Sequence, residues 1–304
     1  MILLIRALPL RWVARLGRWG GLFVGLLDLR HRRVTRRNLE RAFGGELTRS
    51  AIRRLVWENF RRIGENFACA VRTADMTPTQ VREILEVVGS EKLLPQPQVQ
   101  PPPSRVVAIG HFGNFELFAS AFAFAPGYRF ATTYRALRQP ALNRLMQDLR
   151  EKSGCEFFER RIEGDSLRAA MGRGGLMIGL LADQHAGRSG VWGPFLGQRC
   201  STTPAPAVMA LRYRCPLFTA ICYRVGLARW RIEVGDEIPT RLNGRRRSVA
   251  DITADINRAF ETAVRRDPAN WFWVHDRWKE RRLQPDGNPA SSPDTPSSPH
   301  ETRA

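Results

Sequence analysis

Residues 106–116, Val-Val-Ala-Ile-Gly-His-Phe-Gly-Asn-Phe-Glu, restrict the fold more than any other stretch of the chain. The apolar run before Gly110 is β-branched and too short for a helix, so it predicts a buried strand. A Gly-His-Phe-Gly turn follows, and then a segment over 114–125 that can be helical. His111 and Glu116 are five residues apart, which on one continuous helix separates them by about 140°. They converge only if His111 sits in the turn and Glu116 lies one turn into the helix. Gly110 and Gly113 make such a turn possible, because glycine tolerates backbone conformations closed to other residues. A base at a strand end, with a carboxylate and free helix N-terminal amides nearby, suits acyl transfer.

The same strand-then-polar pattern returns at 175–185, where an apolar run ends in Asp183 and Gln184. Open α/β sheets build their sites at the carboxyl ends of strands, which sets Asp183 beside His111 as a candidate. Further strands are expected at 128–134, 155–159, 215–223 and 228–234, the last two adjacent and antiparallel. Helices are expected at 141–152, 166–171 and 204–213. Another is expected over 252–264, where Ile252, Ile256, Phe260 and Val264 recur every four residues. The expected fold is α/β, with a mostly parallel central sheet flanked by helices. Residues 30–282 form one domain that contains a proline-rich surface connector at 95–104. Residues 283–304 are rich in Pro, Ser, Asp and Gly and are expected to be disordered.

The net charge of +19 over 304 residues calls for an anionic partner. Three partners fit: an anionic lipid surface, an acidic carrier protein and nucleic acid. Residues 1–29 favour the first. Their apolar run, 19–27, is shorter than the ~20 residues that span a bilayer. Arg11, Arg15 and Arg18 fall on one side of a helical wheel, and Trp12 and Trp19 stand near the boundary, as in a helix lying in a membrane interface. The basic block at 31–40 leads into Arg41-Ala42-Phe43, and two helices joined across Gly44-Gly45-Glu46 fit this segment and the apolar repeat of Leu55, Phe60, Ile63 and Phe67. No aromatic or glycine pattern of a nucleic-acid-binding module accompanies that block, so nucleic acid is not expected. The five cysteines are odd in number and lack metal-ligand spacing, which argues for free thiols and neither a disulfide framework nor a metal site.

Gly-His-Phe-Gly-Asn-Phe-Glu resembles the His-x4-Asp/Glu block of the bacterial lipid A biosynthesis (lauroyl/myristoyl) acyltransferases, within the wider lysophospholipid and glycerolipid acyltransferase superfamily. The resemblance extends over about 30–282. It includes Arg37-Asn38-Leu39 and Ala42-Phe43, the Tyr134-Arg135 turn with Pro140 and Asn143, the Asp183-Gln184 block, Pro194-Phe195 with Gly197, and the final Trp-rich string at 271–279. It implies transfer of a fatty acyl group from an acyl thioester, of acyl-carrier protein or coenzyme A, to a hydroxyl of a membrane glycolipid. No cofactor is implied beyond that co-substrate. His111 would be the general base, with Glu116 fixing the imidazole. Gly113 and Asn114 would offer oxyanion donors, and Arg135, Arg150, Asp183 and Gln184 would hold substrate. Phe195 and its loop could line an acyl groove, and Trp271, Trp273 and Trp278 would suit a bilayer interface. The implied location is the cytoplasmic face of the inner membrane. A same-family enzyme acting on another glycolipid, such as a phosphoinositide mannoside, and a non-catalytic nucleic-acid-binding protein are the alternatives.

Overall fold

The computed structural model describes residues 7–94, 101–134, 154–159 and 162–279. The expected helix at 141–152, Arg135, Arg150, part of the proline-rich connector and the C-terminal tail lie outside the described residues.

Three helices come first among the described residues: α1 (Leu10–Leu27), α2 (Leu29–Phe43) and α3 (Arg49–Thr73). The breaks between them are chemically marked. The Asp28 side chain accepts from the His31 amide to start α2, and the Thr48 hydroxyl accepts from the Ala51 amide to start α3. A short α4 (Pro78–Ile84), opened by a Thr77/Gln80 capping box, leads into β1 (Leu85–Val88). The sheet strands that follow are β2 (Arg105–Ile109), β3 (Arg129–Tyr134), β4 (Glu156–Glu159) and β5 (Leu176–Leu181). A short helix, α5 (Gly164–Gly172), precedes β5. A hairpin of β6 (Val191–Phe195) and β7 (Gln198–Thr202) stands apart from the sheet, followed by α6 (Ala205–Tyr213). Then come β8 (Leu217–Gly226), β9 (Arg229–Val234), a small basic hairpin of β10 (Arg241–Leu242) and β11 (Arg245–Arg246), and α7 (Val249–Arg266).

Among the described residues, seven strands form one sheet in the order β1-β9-β8-β2-β5-β3-β4. Every neighbouring pair is parallel except the β8/β9 hairpin. The α/β class, the mostly parallel sheet and the antiparallel β8/β9 pair are as expected. β1 was not expected: Glu86 interrupts a strand of only four residues, and it gains its identity from pairing with β9 at the sheet edge. β2, in the centre, is buried along almost its whole length, as its unbroken apolar run requires. One face of the sheet packs on α6, α7 and the C-terminal tryptophans, and the other on α1, α3 and a 3-10 helix over Phe115–Phe124. That helix is 3-10 rather than α.

Two expectations near the ends need correction. Trp271, Trp273 and Trp278 are not interfacial; all three are buried, with ring centroids 4.7 Å apart for Trp271 and Trp273. The helical hairpin clamps them there. Asn38 donates to the carbonyls of Trp273 and His275, and Asn59 to those of Ala269 and Trp271. Phe195 is likewise fully buried in the core and lines no groove.

α1 has two opposed faces. Gly17, Gly21 and Gly25, four residues apart, press on α3 so closely that a Cβ on Gly21 would stand 2.1 Å from the Phe60 carbonyl oxygen. On the opposite side Trp12, Leu16, Trp19, Phe23, Leu26 and Leu27 are each at least 56 % exposed, within about 100° of the helical wheel. Among the described residues no helix is long and apolar enough to cross a membrane.

Arg18 belongs to neither face. It reaches the fully buried Glu65 on α3 at 3.1 Å, and Glu65 also takes Arg224 at 2.8 Å and the Ala228 amide at 3.0 Å. This carboxylate fastens α1 and α3 to the β8/β9 turn. Glu65→Gln is expected to cost about 3 kcal/mol, because it leaves Arg224 without its buried counter-charge and Arg18 with Glu58 alone. A fall in the urea midpoint with an unchanged slope checks it; an unmoved midpoint would show that the network contributes nothing to stability.

Candidate active site

His111 leaves β2 at the carboxyl edge of the sheet, two residues beyond Ile109, and Asp183 leaves the neighbouring parallel strand β5 at the same edge. Their strands pair in register, so Ile109 stands against Leu181 and the residues just beyond them meet. The Asp183 carboxylate carries three hydrogen bonds. Its Oδ1 lies 2.8 Å from His111 Nδ1, and its Oδ2 accepts from the His111 amide and from the Trp271 indole, each at 2.8 Å. Burial alone would raise this carboxyl, but the neighbouring His111 and these three bonds outweigh it and bring Asp183 down to about 2. It is an anion at any working pH.

That bond decides the histidine's chemistry. An Nδ1–H donated to Asp183 leaves Nε2 as the basic nitrogen. Nε2 points away from Asp183; among the described residues the Gln184 amide nitrogen is its hydrogen-bonding neighbour, at 3.4 Å. Phe272 stacks on the imidazole at 5.8 Å and Phe115 meets its edge at 4.8 Å, so the ring is fixed in orientation. The carboxylate on Nδ1 is therefore Asp183, where the sequence pointed to Glu116.

The glycine turn is shaped for this arrangement. Gly113 has φ +51°, and a Cβ there would lie 2.6 Å from the Cys222 carbonyl oxygen. Its amide donates to the Asn270 carbonyl, so it is not free to bind an oxyanion. The neighbouring Asn114 is better placed. Its side chain is buried and its Nδ2 has no hydrogen-bond partner, an expensive condition for a buried amide. The Asn114 and Phe115 amides head the 3-10 helix, where backbone donors point outward.

Two hollows meet at this turn. A cleft holds His111, Asn114, Phe115 and Glu116 against α3 and Phe272. On the far side of the 3-10 helix, a cavity of about 110 Å³ runs under the sheet, lined by Val107, Ile109, Phe118, Phe124, Phe130 and Met177 among other apolar groups. Phe115 and Glu116 line both, which makes Glu116 the carboxylate at their junction. The arrangement combines a base of fixed tautomer, an unpartnered amide donor and an apolar cavity.

Trp271, Asn38 and Asn59 escaped the sequence reading as site-shaping residues. The Asn in Arg37-Asn38-Leu39 was visible but gave no hint that it would hold the loop carrying His275. His275 is partly buried and neutral; desolvation, against the pull of Asp183, takes it down to about 4, and its Nε2 accepts the His185 amide at 3.0 Å. Arg277, fully buried, donates to the Gln184 and Ser201 carbonyls and ties the β6/β7 hairpin to the end of β5.

Residues 1–280 match the family of bacterial lipid A biosynthesis acyltransferases. The chain is 24 % identical over 260 residues to the lipid A biosynthesis palmitoleoyltransferase of Escherichia coli strain K12, covering 83 % of this chain and 80 % of that one. It is equally similar to a lipid A biosynthesis acyltransferase of Shigella flexneri. The chain belongs to the bacterial lipid A biosynthesis acyltransferase family.

Proposed function

We propose that the protein moves a fatty acyl group from an acyl thioester to a hydroxyl of a lipid A-type glycolipid, with His111 as the general base. The observation that carries this reading is the Nδ1 hydrogen bond to Asp183, which leaves His111 Nε2 facing the cleft beside an apolar cavity. Nε2 removes the hydroxyl proton as the oxygen attacks the thioester carbonyl. Asp183 stabilises the imidazolium that results. The carbon–sulfur bond then breaks, and the departing thiolate takes the proton from Nε2. The carbonyl oxygen, negative in the tetrahedral state, finds Asn114 Nδ2 and the amides of Asn114 and Phe115 as donors. The cavity under the 3-10 helix takes the acyl chain, and Glu116 stands where chain and acceptor meet. Arg135 and Arg150 remain candidates for binding substrate phosphate.

The donor is acyl-carrier protein or coenzyme A; the charge of +19 favours the acidic carrier. The outward face of α1 supports attachment to the cytoplasmic leaflet of the inner membrane, since its aromatic and leucine side chains are more than half exposed.

Mass spectrometry of a lipid A precursor incubated with the protein and an acyl thioester tests the reaction. The expected product is heavier by one acyl group less one hydrogen. Unchanged acceptor with either donor would contradict it, and product formed on a phosphoinositide mannoside alone would give the same chemistry a different acceptor. For the membrane, Trp19→Glu combined with Phe23→Glu is expected to weaken binding to vesicles containing anionic lipid by about tenfold or more, because two bulky groups no longer bury in the interface. Equal sedimentation of wild type and variant with those vesicles would remove α1 as the attachment face.

A further inference from the structure

A second opening lies beside the active site, and the acyl-transfer chemistry leaves it unused. It is a cleft of about 690 Å³ between α2 and the segment after α7, lined by Arg30, Arg33, Arg37 and Lys279 together with His185 and His275. The three arginines form one stripe on α2, within about 60° of the wheel. Among the described residues, the lining holds four permanent cations and one carboxylate, Asp276, which Arg37 already engages at 2.8 Å. Among the described residues, Arg30, Arg33 and Lys279 form no ion pair. Like charges this close repel one another, and an anion between them relieves that cost.

The imidazoles add direction to the charge. His275 accepts the His185 amide through Nε2, so in its neutral form Nδ1 carries the proton and can donate. The His185 Nδ1 is buried with no hydrogen-bond partner. The cleft is also close to the reacting base: His185 follows Gln184, whose side chain lies 3.4 Å from His111 Nε2.

We propose that this cleft binds a phosphate ester carried by one of the two substrates, with Arg30, Arg33 and Lys279 supplying charge and the His185–His275 pair supplying hydrogen bonds. Guanidinium forks match the tetrahedral oxygens and near-double charge of a phosphate better than a single carboxylate. The site would anchor a substrate by a group remote from the acylated hydroxyl and so help to set which hydroxyl reaches His111. The source of the phosphate, acceptor headgroup or thioester donor, rests on the proposed acyl transfer; the anion site itself does not.

The test therefore has two arms, both on the full chain. Isothermal titration with inorganic pyrophosphate compares the wild type, Arg30→Ala/Arg33→Ala, and a control, Arg245→Ala/Arg246→Ala. The control removes the same charge from the β10/β11 hairpin, which follows the point where Ile238 pairs with Leu217 at the opposite end of β8 from the active site. The cleft variant is expected to bind pyrophosphate at least tenfold more weakly than wild type, and the control within twofold of it. In the second arm, a KM that rises for a phosphorylated acceptor and not for its dephosphorylated form puts the phosphate on the acceptor. A rise for the thioester donor alone puts it on the donor. Absent binding by the wild type, or equal binding by all three proteins, overturns the proposal whether or not the chain transfers acyl groups.

Discussion

His111→Ala is expected to lower acyl transfer by about 10⁴-fold, the upper end of what a positioned general base contributes. The substitution removes the nitrogen that takes the hydroxyl proton and leaves the cleft otherwise intact. It also removes one of the three donors on Asp183 and two ring contacts, with Phe115 and Phe272. That loss is expected to cost only about 1–2 kcal/mol of stability. Steady-state kinetics, paired with a urea melt, separates the two effects. A variant that keeps its fold and more than a tenth of its turnover would exclude His111 as the base.

Asp183→Asn is the second large effect, expected at about 10³-fold or more. Asparagine is nearly the same shape, so it can still accept from the His111 amide or the Trp271 indole. It cannot, however, stabilise an imidazolium, and its amide can force the imidazole into the tautomer with the proton on Nε2. The rate of the wild type should show no titration of Asp183 at working pH, because its carboxyl lies at about 2. Stability follows the same shift. The folded value is lower than the ordinary 3.8, so the ionised carboxylate stabilises the fold above that ordinary value. The contribution fades as pH falls through about 2. The stability gap between wild type and Asp183→Asn should therefore narrow between about pH 4 and pH 2. A gap that stays constant down to pH 2 would mean that Asp183 is not held as an anion by its neighbours.

The core of this arrangement was legible in the sequence because strand and turn leave strong local marks. Val106 to Ile109 and Leu176 to Leu181 are apolar without interruption, so both read as buried strands, and the polar residues after each run had to emerge at one edge of a parallel sheet. What the sequence could not supply was which carboxylate would face the imidazole. Glu116 is near His111 in the chain, whereas Asp183 becomes its neighbour only through the pairing of β2 with β5, 72 residues apart. The tryptophans misled for a related reason. Trp271, Trp273 and Trp278 beside His, Asp, Arg and Lys have the composition of a membrane interface. Their burial depends on Asn38 and Asn59 reaching their carbonyls from helices more than 200 positions earlier. The glycine face of α1 was visible as Gly17-x3-Gly21-x3-Gly25, a small-residue spacing that permits close helix contact. That spacing was passed over in the sequence reading, which drew on the arginines and tryptophans alone; the close packing of the glycines on α3 is what leaves Trp12 and Trp19 on the outer side.

The central claim is that His111 and Asp183 act as one unit, the carboxylate working only through the imidazole it holds. Acyl-transfer rates for His111→Ala, Asp183→Asn and the double variant test this most directly, since residues acting as a unit are strongly non-additive. The double variant is expected to be no slower than His111→Ala alone, within about threefold. A double variant slower than His111→Ala by the full factor of Asp183→Asn would show the two residues acting independently, and the dyad would have to be abandoned.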